Sequence, residues 1–439
     1  MTDRSYIPYN EETIVAELVK GGVNSLIATH QINQQRLWDT LMKLGEIGAG
    51  SNVTEEGVTR LSLSLEDLKG RQYVIDVMKE SGLEVRVDSV GNIIGKLEGA
   101  NPDAPVVMTG SHVDTVLQGG LFDGALGVLG AVEAIRSIKE SGIELTHSIE
   151  VVSFTDEEGT RFGTGYIGSK GMSGYLDEKT FQLKDANGIT YGEAFEQAGF
   201  DPSLYKQAIR QSKDLKAYVE LHIEQGKVLE EHELAVGIVT DIQGPVWLEV
   251  TLTGHPDHAG ATPMNMRKDA SLAMAEVMLE VERLATKYQG VGTVGKVKVE
   301  PGGVNIIPGK VAFSVDLRHV DKELRTSMVN EVTNAITSIS TKRSVKAEVD
   351  IKKAVDPATC SSEIVDVIEA SCLELSVPTM KLQCGAGHDS LMMTNITNMG
   401  MIFVRSKDGI SHNPKEWTEK DDCVVGTRVL LNTLVKLAK

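Results

Sequence analysis

Several apolar runs in this chain stop abruptly beside a residue that can bind a metal. Val106-Val107-Met108 leads to His112, and Ile149 to Phe154 leads to the acidic triplet Asp156-Glu157-Glu158. Val219-Glu220-Leu221 ends on His222, and Met401 to Val404 precedes the polar loop that carries His412. Asp123 stands in the glycine-flanked stretch Gly119-Gly120-Leu121-Phe122-Asp123-Gly124, just before a helical pattern. Distributing His112, Asp123, Glu158, His222 and His412 over separate strand and loop ends would be wasteful for a packed core. It suits a metal site assembled from several loops at one rim of a sheet.

The spacing between these stops has a matching rhythm. Val106 to Met108 reads as a strand, Gly124 to Lys139 as a helix and Ile149 to Phe154 as another strand. Such alternation predicts an α/β sheet with helices on both faces. At 439 residues the chain is too long for one compact core, so two domains are expected. The second unit starts after Gly244-Pro245. Trp247 to Leu252 alternates as a strand, Asp269 to Tyr288 is helical, and Gly292 to Val299 and Val311 to Leu317 are strands. Glu323 to Ile339 is helical and Val345 to Ile351 closes the set, giving β-α-β-β-α-β, the ferredoxin-like order. The expected architecture is a large α/β metal-binding domain of residues 1–244 and 356–439, with a small α+β domain of residues 245–355 inserted. Residues 1 to about 25 read as a polar extension, and a helical pattern runs from Leu26 to Leu44.

Charge narrows the function. A formal net charge of −18 disfavours nucleic-acid binding, which needs a basic surface. It leaves room for an anionic small substrate, because a few local arginines outweigh the global field. No apolar run reaches membrane-spanning length, and the nearest, Gly124 to Ile135, is broken by Glu133. The first residues lack the basic start and apolar run of a signal peptide. Cys360, Cys372, Cys384 and Cys423 form no CxxC pair and read as reduced thiols of a cytoplasmic protein.

Taken singly, each candidate ligand has an ordinary structural reading. His112 could be a surface histidine paired with Asp114, and Asp123 a helix cap. The acidic triplet could be a solvated face, and His222 and His412 could be structural. Together they offer three histidines and two carboxylates with no cysteine, which favours a catalytic over a structural site. A dinuclear centre follows as the hypothesis, with zinc, manganese, cobalt or nickel compatible with mixed nitrogen and oxygen ligation. Asp114 is close enough in sequence to accept from the other ring nitrogen of His112. Glu157 and Glu158 would repel unless a cation neutralised them, and one of the two could then handle protons.

The motifs GSHVDT, GGLFDG, FTDEEGTRF, ELHIEQG, GHPDHAGATPM, GVNIIPG, DLR, GAGHDS and ISHNP resemble the amidase/hydantoinase branch of the dinuclear metallopeptidase-like hydrolases. That branch contains N-carbamoyl-L-amino-acid hydrolases, allantoate amidohydrolases and β-ureidopropionases. The likeness covers nearly the whole chain after about residue 35, and the flanking text is most like the first of these. It implies that two divalent ions are held by His112, Asp123, Glu158, His222 and His412, with Asp123 bridging and His112 and His222 on opposite metals. Glu157 would be the general base and Asp114 would orient His112. Related peptidases often carry a carboxylate where this chain has His222, so histidine there favours the amidase branch.

The implied reaction is hydrolysis of a small ureido substrate to an L-amino acid, ammonia and carbon dioxide. The ureido carbonyl is a poor electrophile because two nitrogens donate into it, and Lewis acidity counters that. His258 is the candidate donor to the developing oxyanion. Asn305 and Arg318 would bind the substrate carboxylate, with a salt bridge to Asp316 or Asp321 as the other reading of Arg318. Gln225 and His388 are further cleft candidates. The small domain would serve as a lid, closing on hinges near Gly244-Pro245 and Val355-Asp356-Pro357, and as the dimerisation surface of a homodimer. Allantoate amidohydrolase is the principal alternative. A dipeptidase or aminoacylase, or a non-catalytic metal binder, fits less well.

Overall fold

The apolar runs become strands of two separate sheets in a computed structural model, which describes residues 31–439. The expected extension, and the start of the helical pattern at Leu26, lie outside the described residues. The chain first forms β1 (Glu84–Val87), β2 (Ile93–Leu97), β3 (Val106–His112), β4 (Ile149–Phe154), β5 (Leu215–Ile223) and β6 (Val236–Ile242). A second sheet follows with β7 (Gly244–Thr253), β8 (Val291–Glu300), β9 (Lys310–His319) and β10 (Lys346–Ala354). The chain then returns to the first sheet through β11 (Ala358–Thr359), β12 (Thr379–Cys384) and β13 (Met399–Val404).

The first sheet runs β1-β2-β4-β3-β5-β13-β6-β11, with β12 also paired to β6. Its centre, β4-β3-β5-β13, is parallel, so these four strands end at one rim. Every residue of β3, β4 and β13 is buried, as parallel strands covered on both faces require. The main helices are α1 (Gln34–Gly45), α2 (Leu65–Glu80), α3 (Ala125–Glu140), α4 (Ala270–Tyr288), α5 (Lys322–Lys342), α6 (Ser362–Glu374) and α7 (Lys420–Ala438). Helix α3 leaves the rim directly after Asp123-Gly124 and is buried along most of its length. Glu133, the acid that interrupts its apolar run, is only 4% exposed. Arg36 of α1 lies 2.6 Å from it, and the Asn33 amide and Ser137 hydroxyl also donate to it. Among the described residues, no helix is long and apolar enough to cross a membrane.

The second sheet has the order β10-β7-β9-β8 and is antiparallel throughout. With α4 and α5 it forms the β-α-β-β-α-β unit read from the sequence. Val246, Leu248, Val250 and Leu252 pack inward with Val311, Phe313, Val315 and Leu317 against the two helices. Alternation sends Trp247, Asp316 and Arg318 to the opposite face. Both helices open on an aspartate. Asp269 accepts from the Ser271 and Leu272 amides, and Asp321 from those of Glu323 and Leu324. Asp269→Ala is expected to cost about 1 kcal/mol, the usual worth of such a cap. A lower urea midpoint would show it, whereas an unchanged midpoint would show the cap to be idle.

Candidate metal centre and cleft

The parallel rim presents the candidate ligands in strand order. His112 is the last residue of β3, and His222 lies one residue before the end of its neighbour β5. Glu158 follows β4 on one flank, and His412 follows β13 on the other. Asp123 comes between them from the loop joining β3 to α3. Its Oδ1 lies 3.6 Å from His112 Nε2 and 3.2 Å from His222 Nε2, while its Oδ2 lies 3.2 Å from His412 Nε2. His412 Nε2 is in turn 3.4 Å from Glu158 Oε1. Two groups of ligand atoms therefore share Asp123: His112-Asp123-His222 and Asp123-Glu158-His412.

This corrects one expectation. His112 and His222 fall in the same group of ligand atoms around Asp123, not in separate ones. They come from adjacent parallel strands, whereas Glu158 and His412 reach in from the loops of the two outer strands.

The donor chemistry fits divalent cations. His222 Nδ1 lies 2.9 Å from the Ile223 carbonyl, which can only accept, so Nδ1 carries a proton. The buried Nε2 has no hydrogen-bond partner. It faces Asp123 Oδ1 at 3.2 Å, and although burial disfavours the charged ring, Asp123 raises its proton affinity, so the position can hold a proton or a metal ion. Burial pushes the Asp123 carboxyl up, but His112, His222 and His412 outweigh burial and hold it well below the usual carboxylate range. Burial raises Glu157 well above that range, with His112 opposing and Glu158 reinforcing. Glu158 is pushed up to about 7, by burial first and by Asp123 next.

Asp114 supports His112 differently from expectation. Its backbone carbonyl, 3.0 Å away, accepts from His112 Nδ1, and the nearer carboxylate oxygen is 3.7 Å off. The carboxylate instead accepts from the Glu157 and Glu158 amides, each at 3.2 Å. Asp114 thus ties the loop after β3 to the loop after β4 and orients both acids. Glu157 belongs to neither ligand group. Its Oε2 lies 3.7 Å from His112 Nε2.

Further supports escaped the sequence reading. Ser411 Oγ lies 2.9 Å from Asp123 Oδ2 and 2.8 Å from Glu416 Oε2. Glu416, 2% exposed, accepts from the amides of Phe122 and Asp123 and so fixes the loop that carries Asp123. Its place four residues after His412 was the available signal, but an acid in a polar loop reads as solvated. Asp156, Tyr166, Gln225 and His412 all adopt left-handed φ values of 53 to 62°. Such strain in non-glycine residues concentrates at functional sites.

The ligands open into a cleft of about 210 Å³ that communicates with solvent. Gln225 lines it and donates to Asp123 Oδ2 at 2.8 Å. His388 lines it with its ring 4.2 Å from that of His222. Arg318 lines the opposite wall while paired with Asp316 at 2.7 Å, so its two sequence readings coexist. His258 and Asn305 do not line the cleft. Both are exposed and adjacent: His258 accepts from the Gly260 and Ala261 amides, and the Asn305 carbonyl accepts from Ala259. Lys353, Trp247 and Tyr166, which line the cleft beside Arg318, were missed.

Residues 108–436 match the model of Peptidase family M20/M25/M40. The chain belongs to this family. An N-carbamoyl-L-amino acid amidohydrolase of Geobacillus stearothermophilus is 46% identical over 93% of this chain and 99% of its own. An allantoate amidohydrolase of Bacillus subtilis is 36% identical over 91% of this chain and 97% of its own. A solved amidase of the hydantoinase/carbamoylase family from Burkholderia multivorans superposes with a TM-score of 0.88 at 35% identity, covering 93% of this chain and 99% of that one. Members of the M20 family are metal-dependent hydrolases, and the groups sharing Asp123 are candidate ligand sets for such metals.

Gly124 offers a test of His112. A Cβ at Gly124 would come 2.5 Å from His112 Nε2, whereas one at Gly142 would meet nothing within 4 Å. Both glycines have a positive φ, 65° and 64°, so alanine strains the backbone at either. Gly124→Ala is expected to lose bound metal after dialysis, measured by plasma mass spectrometry, while Gly142→Ala retains it. Equal metal content in the two variants would contradict a ligand role for His112.

Proposed function

We propose that this chain hydrolyses the ureido C–N bond of N-carbamoyl-L-amino acids, releasing the L-amino acid, ammonia and carbon dioxide. The observation that carries this reading is Glu157, a buried carboxylate outside both ligand groups, beside His112 and on the wall of a small-molecule cleft. One ion would be held by His112, Asp123 and His222, and the other by Asp123, Glu158 and His412. Two such ions (zinc, manganese, cobalt or nickel) supply Lewis acidity toward the ureido carbonyl and lower the pKa of water. Glu157 takes the proton as water adds to the ureido carbon and returns it to the leaving nitrogen. Burial suits it to that work by raising its proton affinity.

Arg318 faces this centre from the small sheet and orients the substrate carboxylate. Residues 245–355 act as a lid. Support for a hinge comes from the two connections, which run side by side: the Val355 amide donates to the Pro245 carbonyl at 3.0 Å. His258 and Asn305 reach a substrate from a second copy of the chain in a homodimer formed through the lid. Their exposure, beside the exposed Val304, Met264 and Met266, supports that arrangement. The four buried, unpaired cysteines support a cytoplasmic setting.

Allantoate also carries ureido groups and a carboxylate, so it would meet the same residues. An ammonia-release panel separates the readings. It compares N-carbamoyl-L- and D-amino acids, N-carbamoyl-β-alanine and allantoate, each with zinc, manganese, cobalt and nickel. The highest kcat/KM is expected for an N-carbamoyl-L-amino acid, and preference for allantoate would overturn the assignment. Glu157→Gln is expected to lower kcat by at least about 10²-fold with metal content retained. Near-normal turnover in the metal-loaded variant would remove Glu157 from the role of base.

A further inference from the structure

The cleft wall formed by the small sheet contains one cation with no carboxylate partner. Arg318 is committed, holding Asp316 at 2.7 Å and donating to the Gly385 carbonyl at 2.6 Å. Lys353 lines the same wall and forms no ion pair with the described residues. Its ammonium instead lies 4.6 Å from the Trp247 ring centroid and 5.6 Å from that of Tyr166.

A backbone irregularity puts it there. β10 pairs with β7 residue by residue as far as Ile351 opposite Leu248, and the next pair is Lys353 opposite Trp247, so Lys352 is skipped. In an unbulged strand Lys353 would share the face of Ile351, toward the helices. The extra residue turns it to the face of Trp247, Asp316 and Arg318. Lys352 is left to pair with Glu249 at 3.2 Å. The other aromatic wall is equally fixed. Tyr166 has a left-handed φ of 62°, and its amide donates to the Glu157 carbonyl at 3.0 Å. The aromatic frame around Lys353 is therefore bonded to the backbone of the proposed general base.

We propose that Lys353, framed by Trp247 and Tyr166, receives the substrate carboxylate beside Arg318 and makes the enzyme select carboxylate over uncharged ureido substrates. The inference rests on the ureido-hydrolase reading and adds a specificity residue to it. Arg318 and Asp316 cancel, so Lys353 supplies the net positive charge that a monoanion needs. Burial holds the ammonium below its ordinary pKa, with Glu157 opposing and Arg318 reinforcing. A desolvated cation of this kind gains most from an incoming anion.

The test compares wild type, Lys353→Met and Lys353→Arg on an N-carbamoyl-L-amino acid and on its carboxamide, with melting temperature recorded for each. Lys353→Met is expected to raise KM for the carboxylate substrate by about 10–100-fold, the worth of one charge-assisted hydrogen bond. The change in kcat is expected to be smaller, the loss confined to the carboxylate substrate, and Lys353→Arg to recover part of it. An unchanged KM overturns the inference. So does an equal loss on both substrates, which marks a structural role. If Lys353→Met does not fold, Lys353→Gln takes its place with the same expectations. Wild type inactive on both substrates would overturn the ureido reading and this inference with it. Active wild type with an indifferent Lys353→Met overturns the inference alone.

Discussion

The attraction of three histidines to one buried carboxylate organises the active rim. Asp123 presents Oδ1 to His112 and His222 and Oδ2 to His412, so two strands and two loops converge on one carboxylate. Without compensation, burial would leave Asp123 neutral. The histidines keep it ionised, while burial raises the proton affinity of the neighbouring Glu157 and Glu158. The parallel order β4-β3-β5-β13 makes the geometry possible. The two inner strands contribute the paired histidines, and the two outer strands contribute Glu158 and His412.

Around Asp123 lies a set of groups whose work is to keep it still. Glu416 holds the backbone on its N-terminal side through two amide bonds, and Ser411 and Gln225 each reach its Oδ2. Asp114 does the same for the acids, joining their amides to the loop of His112. The rim is thus cross-linked between loops far apart in sequence. Arg318 and Lys353 line the same cleft from the small sheet.

Much of this was legible in the sequence, for physical reasons. The β-α-β-β-α-β unit could be read because its core strands alternate and each helix opens on an aspartate cap. The ligands could be read because apolar runs end beside them. β1 escaped because Glu84–Val87 is a short, largely exposed edge strand with no apolar run. The pairing of His112 with His222 depends on which strands are neighbours, and no spacing along the chain records that. Asp114 was assigned to the right partner through the wrong atom, since sequence proximity does not distinguish a carboxylate from its own carbonyl. Lys353 was hidden by the bulge at Lys352, because the period-two rule places it on the opposite face.

The central claim is that Asp123 joins two metal positions. Anomalous diffraction from crystals of the manganese- or zinc-loaded protein tests it most directly. The account expects two peaks about 3.5–4 Å apart, one beside His112 and His222, the other beside Glu158 and His412, with Asp123 contacting both. A single peak, or a pair that does not share Asp123, would contradict it.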